Sequence, residues 1–79
     1  MNQEEIPLNR LPIGQKAQVR ALTSDGGTRR RMLDLGLIQG TEIEPLYKSP
    51  SGNPVAYRIR GAVIALRNDV SGMILVSAF

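Results

Sequence analysis

The sequence predicts a mainly β domain: five short strands closed into a small barrel, one short α-helix after the first strand, and a 3₁₀ turn before the last. Three observations predict it. Apolar and polar residues alternate in "QKAQVRAL" (Gln15–Leu22) and "VAYRIR" (Val55–Arg60), the period of half-buried strands. One stretch, Thr28–Leu35, holds Arg, Met and Leu without Gly or Pro, a run of good helix formers. The chain has only 79 residues, so five strands have few ways to hide their edges except by closing on themselves.

The elements follow in chain order. Residues 1–10 show no period and are interrupted by Pro7. They read as a loosely ordered lead-in that docks through Ile6 or Leu8, with the domain proper over residues 11–79. In the first strand, Gln15–Leu22, one face carries Ala17, Val19 and Ala21, and the other carries Lys16, Gln18 and Arg20. "TSDGG" (Thr23–Gly27) is a turn cluster. The helix over Thr28–Leu35 has Ser24 or Asp25 as its cap. Its apolar face is Met32, Leu33 and Leu35, continued by Leu37, and Gly36 stands where a left-handed residue ends a helix. So short a helix does not persist alone and must be held by packing onto the sheet.

The second strand, Thr41–Lys48, contains Pro45, which lacks a ladder N–H and marks an edge or a bulge. After the turn "SPSGNP", the third strand sets Val55, Tyr57 and Ile59 against Arg58 and Arg60. Gly61-Ala62 suits a type II′ hairpin turn. "VIALR" (Val63–Arg67) is apolar on both faces, as in a strand buried on one side and covered on the other. Asn68–Gly72 reads as a 3₁₀ turn capped by Asn68, and Met73–Ser77 is the last strand. The sum is a five-stranded SH3-like barrel with the helix flanking or plugging one end.

Composition narrows the function classes. A chain this short draws only about 3–5 kcal/mol of stability from its core, and no cysteine is present to brace it. The opening "MNQEEIPLNR" is polar and acidic, and no apolar run approaches the length of a bilayer span; a cytoplasmic protein is expected. Ten Lys/Arg against seven Asp/Glu give a net charge of +3, a mild excess rather than the dense basic footprint of a nucleic-acid binder. With no His and no Cys, imidazole and thiolate ligands are absent. Glu42 and Glu44, two apart on a strand, could share a hard divalent cation but more simply face solvent. There is no His base, no nucleophile elbow and no phosphate-binding GKS/GKT loop, so neither catalysis nor a cofactor is expected. "SDGGTRRR" (Ser24–Arg31) could cradle an anion at a helix start, or simply turn the chain into the helix.

What remains is binding. Arg29, Arg30 and Arg31 fan over about 200° of a helix surface, so one partner cannot meet all three. Leu37 and Ile38 are adjacent in "GLIQG" (Gly36–Gly40), and either both enter the core or one stays out as an apolar anchor beside the basic helix. Arg29, Arg30, Arg31, Leu37 and Ile38 are therefore the candidate partner-binding residues. Tyr57 beside Arg58 and Arg60 is the modest aromatic–cation cluster that a nucleic-acid reading would use. Pairing of strand edges into a homodimer stays open, blunted at one edge by Pro45.

Arg31-Met32-Leu33-Asp34-Leu35-Gly36, then Gln39-Gly40-Thr41, Pro50-Ser51-Gly52-Asn53-Pro54 and Ile64-Ala65-Leu66-Arg67 together resemble the FeoA family, small proteins associated with bacterial ferrous-iron uptake. The match spans about Leu11 to Val76. Gln39 replaces a usual proline, Asn53 a usual aspartate, and Pro45 interrupts a strand usually rich in valine. The resemblance implies an SH3-like barrel and a non-catalytic accessory role. It also implies a partner, the membrane transporter FeoB with its cytosolic GTP-binding domain, and hence recruitment to the inner face of the cytoplasmic membrane. The same fold occurs as the C-terminal domain of metal-dependent repressors, so a stand-alone regulatory module is the alternative, together with a small basic barrel that binds nucleic acid.

Overall fold

The computed structural model describes residues 4–78. Six strands form a single antiparallel sheet in the order β1-β6-β2-β3-β4-β5. They are β1 (Ile6–Pro7), β2 (Ala17–Leu22), β3 (Glu42–Lys48), β4 (Val55–Ile59), β5 (Ala62–Leu66) and β6 (Ile74–Ala78). Helix α1 (Gly26–Asp34) follows β2, and a four-residue helix α2 (Asn68–Ser71) precedes β6.

The strand count exceeds the expected five because part of the lead-in joins the sheet. Ile6 pairs with Val76 and Pro7 with Leu75. A 3₁₀ turn at Leu8–Arg10 then drops Leu8 into the core with none of its surface exposed. The turn before the last strand is α-helical rather than 3₁₀. Its first N–H, on Asn68, donates to Asn53 Oδ1 at 3.0 Å. Asn68 is thus the group being capped, and the cap comes from the "SPSGNP" turn.

Helix α1 starts two residues earlier than the pattern suggests. Asp25 occupies the cap position without a side-chain hydrogen bond, while Ser24 Oγ donates to Met32 Sδ at 3.2 Å. The C-terminal end follows expectation. Gly36 has φ +91°; its N–H donates to the Leu33 carbonyl (3.0 Å), and the Leu37 N–H reaches the Met32 carbonyl (3.1 Å). This paired closure satisfies carbonyls that would otherwise lack partners. Arg60 lies directly over the Gly36 Cα, where any Cβ would meet its Cδ.

Two register shifts bend the sheet. The β3–β4 pairing slips between Pro45 and Tyr47, the bulge that Pro45 predicts. The β2–β6 pairing slips between Val19 and Ala21. Ala17 and Val19 are buried, but Ala21 is exposed, because an extra residue reverses the alternation beyond it.

The β4–β5 hairpin also differs from expectation. Ile59 pairs with Ala62, so the loop is Arg60-Gly61, one residue earlier than anticipated. Both residues have positive φ, +52° and +83°, as in a type I′ turn rather than II′. Nor is β5 covered on its second side: Ala62, Val63 and Ala65 are exposed, Ile64 is half-buried and only Leu66 is buried.

The core lies inside the curved sheet. Ala17 and Val19 of β2, Ile43 of β3, Val55, Tyr57 and Ile59 of β4 and Ile74 and Val76 of β6 converge there with Leu8, Leu11, Met32 and Leu37.

Candidate interaction surface

Helix α1 sits over the sheet by its Met32 side chain, which is buried, with Leu35 half-buried beside it. Arg29, Arg30 and Arg31 are all exposed. Among the described residues the ion pairs are Lys16–Glu42, Arg20–Glu5, Arg58–Glu44 and Arg67–Asp69; none involves the triplet.

The triplet divides between two flanks of the helix. On the β2 flank, Arg29 lines a shallow groove with Leu33, Ile38, Gln39 and Arg20. Its Nη1 donates to the Leu22 carbonyl at 3.4 Å. Leu33 and Ile38 are 41% and 49% exposed. Arg29 and Leu33 are four apart, hence one above the other on the helix. On the β5 flank, Arg31 lines a different groove with Thr28, Met32 and Leu35 of the helix, Ile64, Ala65 and Leu66 of β5, and Arg67 and Val70.

Leu37 and Ile38 part as adjacent residues must. Leu37 has none of its surface exposed, while Ile38 projects. Leu37 is therefore corrected from partner-binding candidate to core residue, because the helix-ending turn at Gly36 aims it inward. The loop that presents Ile38 is fixed by Thr41. Its hydroxyl donates to the Gly36 carbonyl at 2.8 Å and accepts from the Ile38 N–H at 3.3 Å. Leu33 escaped sequence reasoning, because a leucine on a short helix reads as core. Its spacing four residues after Arg29 was the available signal.

The other candidates resolve by their surroundings. Tyr57 is 1% exposed, so the Tyr57–Arg58–Arg60 grouping does not exist as an aromatic surface. Burial pushes the Tyr57 phenol above its ordinary range, partly opposed by a hydrogen bond with Ser71. Glu42 and Glu44 share a face, but Lys16 Nζ stands 3.8 Å from the first and Arg58 Nη1 3.3 Å from the second. Among the described residues no three His, Cys, Asp or Glu side chains group as a metal site.

A model of the FeoA domain matches residues 6–78. The chain belongs to the FeoA domain family. It thereby belongs among the non-catalytic accessory domains of ferrous-iron transport. Its fold is similar to that of a FeoA-like protein from Clostridium acetobutylicum, with 35% identity, TM-score 0.89, and coverage of 100% of this chain and 91% of that one. The FeoA of Stenotrophomonas maltophilia, solved in complex with zinc and described as a prokaryotic SH3 domain protein, is 26% identical, with TM-score 0.78 and coverage of 87% and 86%. A manganese-dependent transcriptional repressor shares the fold at 15% identity, with TM-score 0.86 over 100% of this chain and 44% of that one. No curated protein sequence matches the chain significantly. The SH3-like, mainly β character expected from the sequence is thus shown, with six strands in place of five.

Proposed function

We propose that this FeoA domain acts by docking onto the cytosolic GTP-binding part of a FeoB-type ferrous-iron transporter through the β2 flank of α1. The observation that carries the reading is the patch of Arg29, Leu33 and Ile38, two exposed aliphatic side chains beside an arginine that pairs with no carboxylate among the described residues. An apolar centre with a cationic rim is a common makeup for a hot spot. Arg30 is exposed three residues before Leu33, on the same side of the helix, while Arg31 lines the groove on the opposite flank. No helix among the described residues is long and apolar enough to cross a membrane, which fits recruitment to the cytoplasmic membrane through the transporter.

The test is capture of the transporter's purified GTP-binding domain by the full chain. Arg29→Glu combined with Ile38→Asp is expected to weaken capture by about tenfold or more while leaving the thermal melt in place, since both residues are exposed. Undiminished capture by the folded double variant would rule this flank out.

A further inference from the structure

The second flank of α1 carries a different surface, built around β5. This strand is bonded to β4 alone, and among the described residues its other edge meets no strand. Its register with β4 is unbroken from Ile59↔Ala62 to Val55↔Leu66. The Ile59–Ala62 pair closes a two-residue turn and is a hydrogen-bonded pair. Alternation then turns the backbone N–H and C=O groups of Val63 and Ala65 away from β4.

Exposed edges are normally blunted by a charge, a proline, a bulge or brevity. The five residues "AVIAL" have none of these. Next to this edge lies a groove of ≈ 280 Å³ lined by apolar atoms of Met32, Leu35, Ile64 and Val70, with Arg31 and Arg67 also in its lining. Backbone groups pointing outward beside an apolar trough are the two requirements for receiving an added strand.

The occupant follows from the charges. A second copy pairing antiparallel through the same edge, centred on Ile64, would set its Arg67 beside the Arg60-Gly61 turn, cation against cation. Arg31 has no carboxylate partner among the described residues, and Arg67 has only exposed Asp69 at 4.0 Å. We propose that the β5 edge and the groove beneath α1 bind an extended acidic–apolar segment of a partner protein by strand addition. Apolar side chains enter the groove beside Ile64, and carboxylates reach Arg31 and Arg67. This goes beyond the docking reading above and does not rest on it, since it uses the opposite flank of the helix.

The probe is an acetylated, amidated heptapeptide alternating valine and glutamate, added to the full chain and followed by amide and methyl NMR. Two comparators replace its glutamates by lysine or its central valine by proline. The glutamate peptide is expected to shift Val63, Ala65, Met32 and Ile64 and to slow amide exchange at Val63 and Ala65 by about tenfold or more. The lysine and proline peptides are expected to bind about tenfold more weakly or not at all. Arg67→Glu, an exposed change, is expected to weaken the glutamate peptide about threefold to tenfold. No shifts at millimolar peptide, shifts confined to Arg29, Leu33 and Ile38, or equal binding of the proline peptide would each overturn the proposal. Protection of Val63 and Ala65 that rises with protein concentration alone, with a dimer in sedimentation, would also overturn it by making a second copy the occupant. Because the transporter domain is absent from every arm, failure here leaves the Arg29–Ile38 docking reading standing, and the reverse.

Discussion

At one end of the sheet, β1 is two residues long, contains Pro7 and leads at once into a turn that buries Leu8. At the other end, β5 runs for five apolar residues, with Val63 56% exposed. Both strands bond to a single neighbour, yet only one is protected. Brevity and a proline leave β1 little to offer a stray strand, and the buried leucine ties it to the core. Retaining an unprotected edge beside an apolar groove carries an aggregation hazard, so the contrast suggests that β5 is kept open for a partner.

The strongest way to break this comparison is at Leu8. Leu8→Ala removes a wholly buried side chain and is expected to cost about 2–5 kcal/mol, a large share of what so small a domain holds. Urea unfolding would read it. An unchanged midpoint would mean that β1 is not anchored and that the two ends of the sheet do not differ as described.

The next effect sharpens the inner face shared by β4 and β5, where Tyr57 pairs with Ile64. Burial raises the phenol's pKa in the fold above its unfolded value. Stability from keeping Tyr57 neutral is therefore fully present below its ordinary pKa of about 10 and is lost as pH rises through the higher folded value. Tyr57→Phe is expected to cost about 1 kcal/mol at neutral pH and to flatten the alkaline loss above about pH 10. A parent-like slope in Tyr57→Phe would place the alkaline sensitivity elsewhere.

The smallest effect is expected at the unprotected edge itself. Val63→Lys adds the charge that edge strands usually carry and should change stability by no more than about 0.5 kcal/mol. A larger loss in the thermal melt would show that Val63 is covered and the edge already occupied.

Much of the fold was readable because particular residues have few conformational choices. Gly36 could be placed at a helix end because a left-handed residue is needed there, and Pro45 at a bulge because it has no N–H to give. In Val55–Ile59, Val55, Tyr57 and Ile59 are buried and Arg58 exposed as the alternation has it, but Ala56 is buried too. Strand β1 was not readable: two residues show no period, and they are extended only because β6 offers them an edge. The hairpin turn fell on Arg60-Gly61 because pairing of Ile59 with Ala62 sets the register, and that pairing outweighs the strain of a non-glycine residue at positive φ. Of the candidate site, the arginine triplet was legible as cations spread too widely around the helix to meet one partner together. That Leu37 is core, that Leu33 is exposed and that Arg29 and Arg31 serve opposite flanks were not.

By itself the sequence determined most of where the chain extends and coils, and which reactive groups are missing, since those depend largely on each residue's own dihedral preferences and chemistry. Only the tertiary structure decided which apolar side chains remain uncovered. Ile38, Leu33 and Val63 are as hydrophobic as their buried neighbours. Burial belongs to a pair of facing surfaces, and the second surface is supplied by chain far away in sequence, or by a partner.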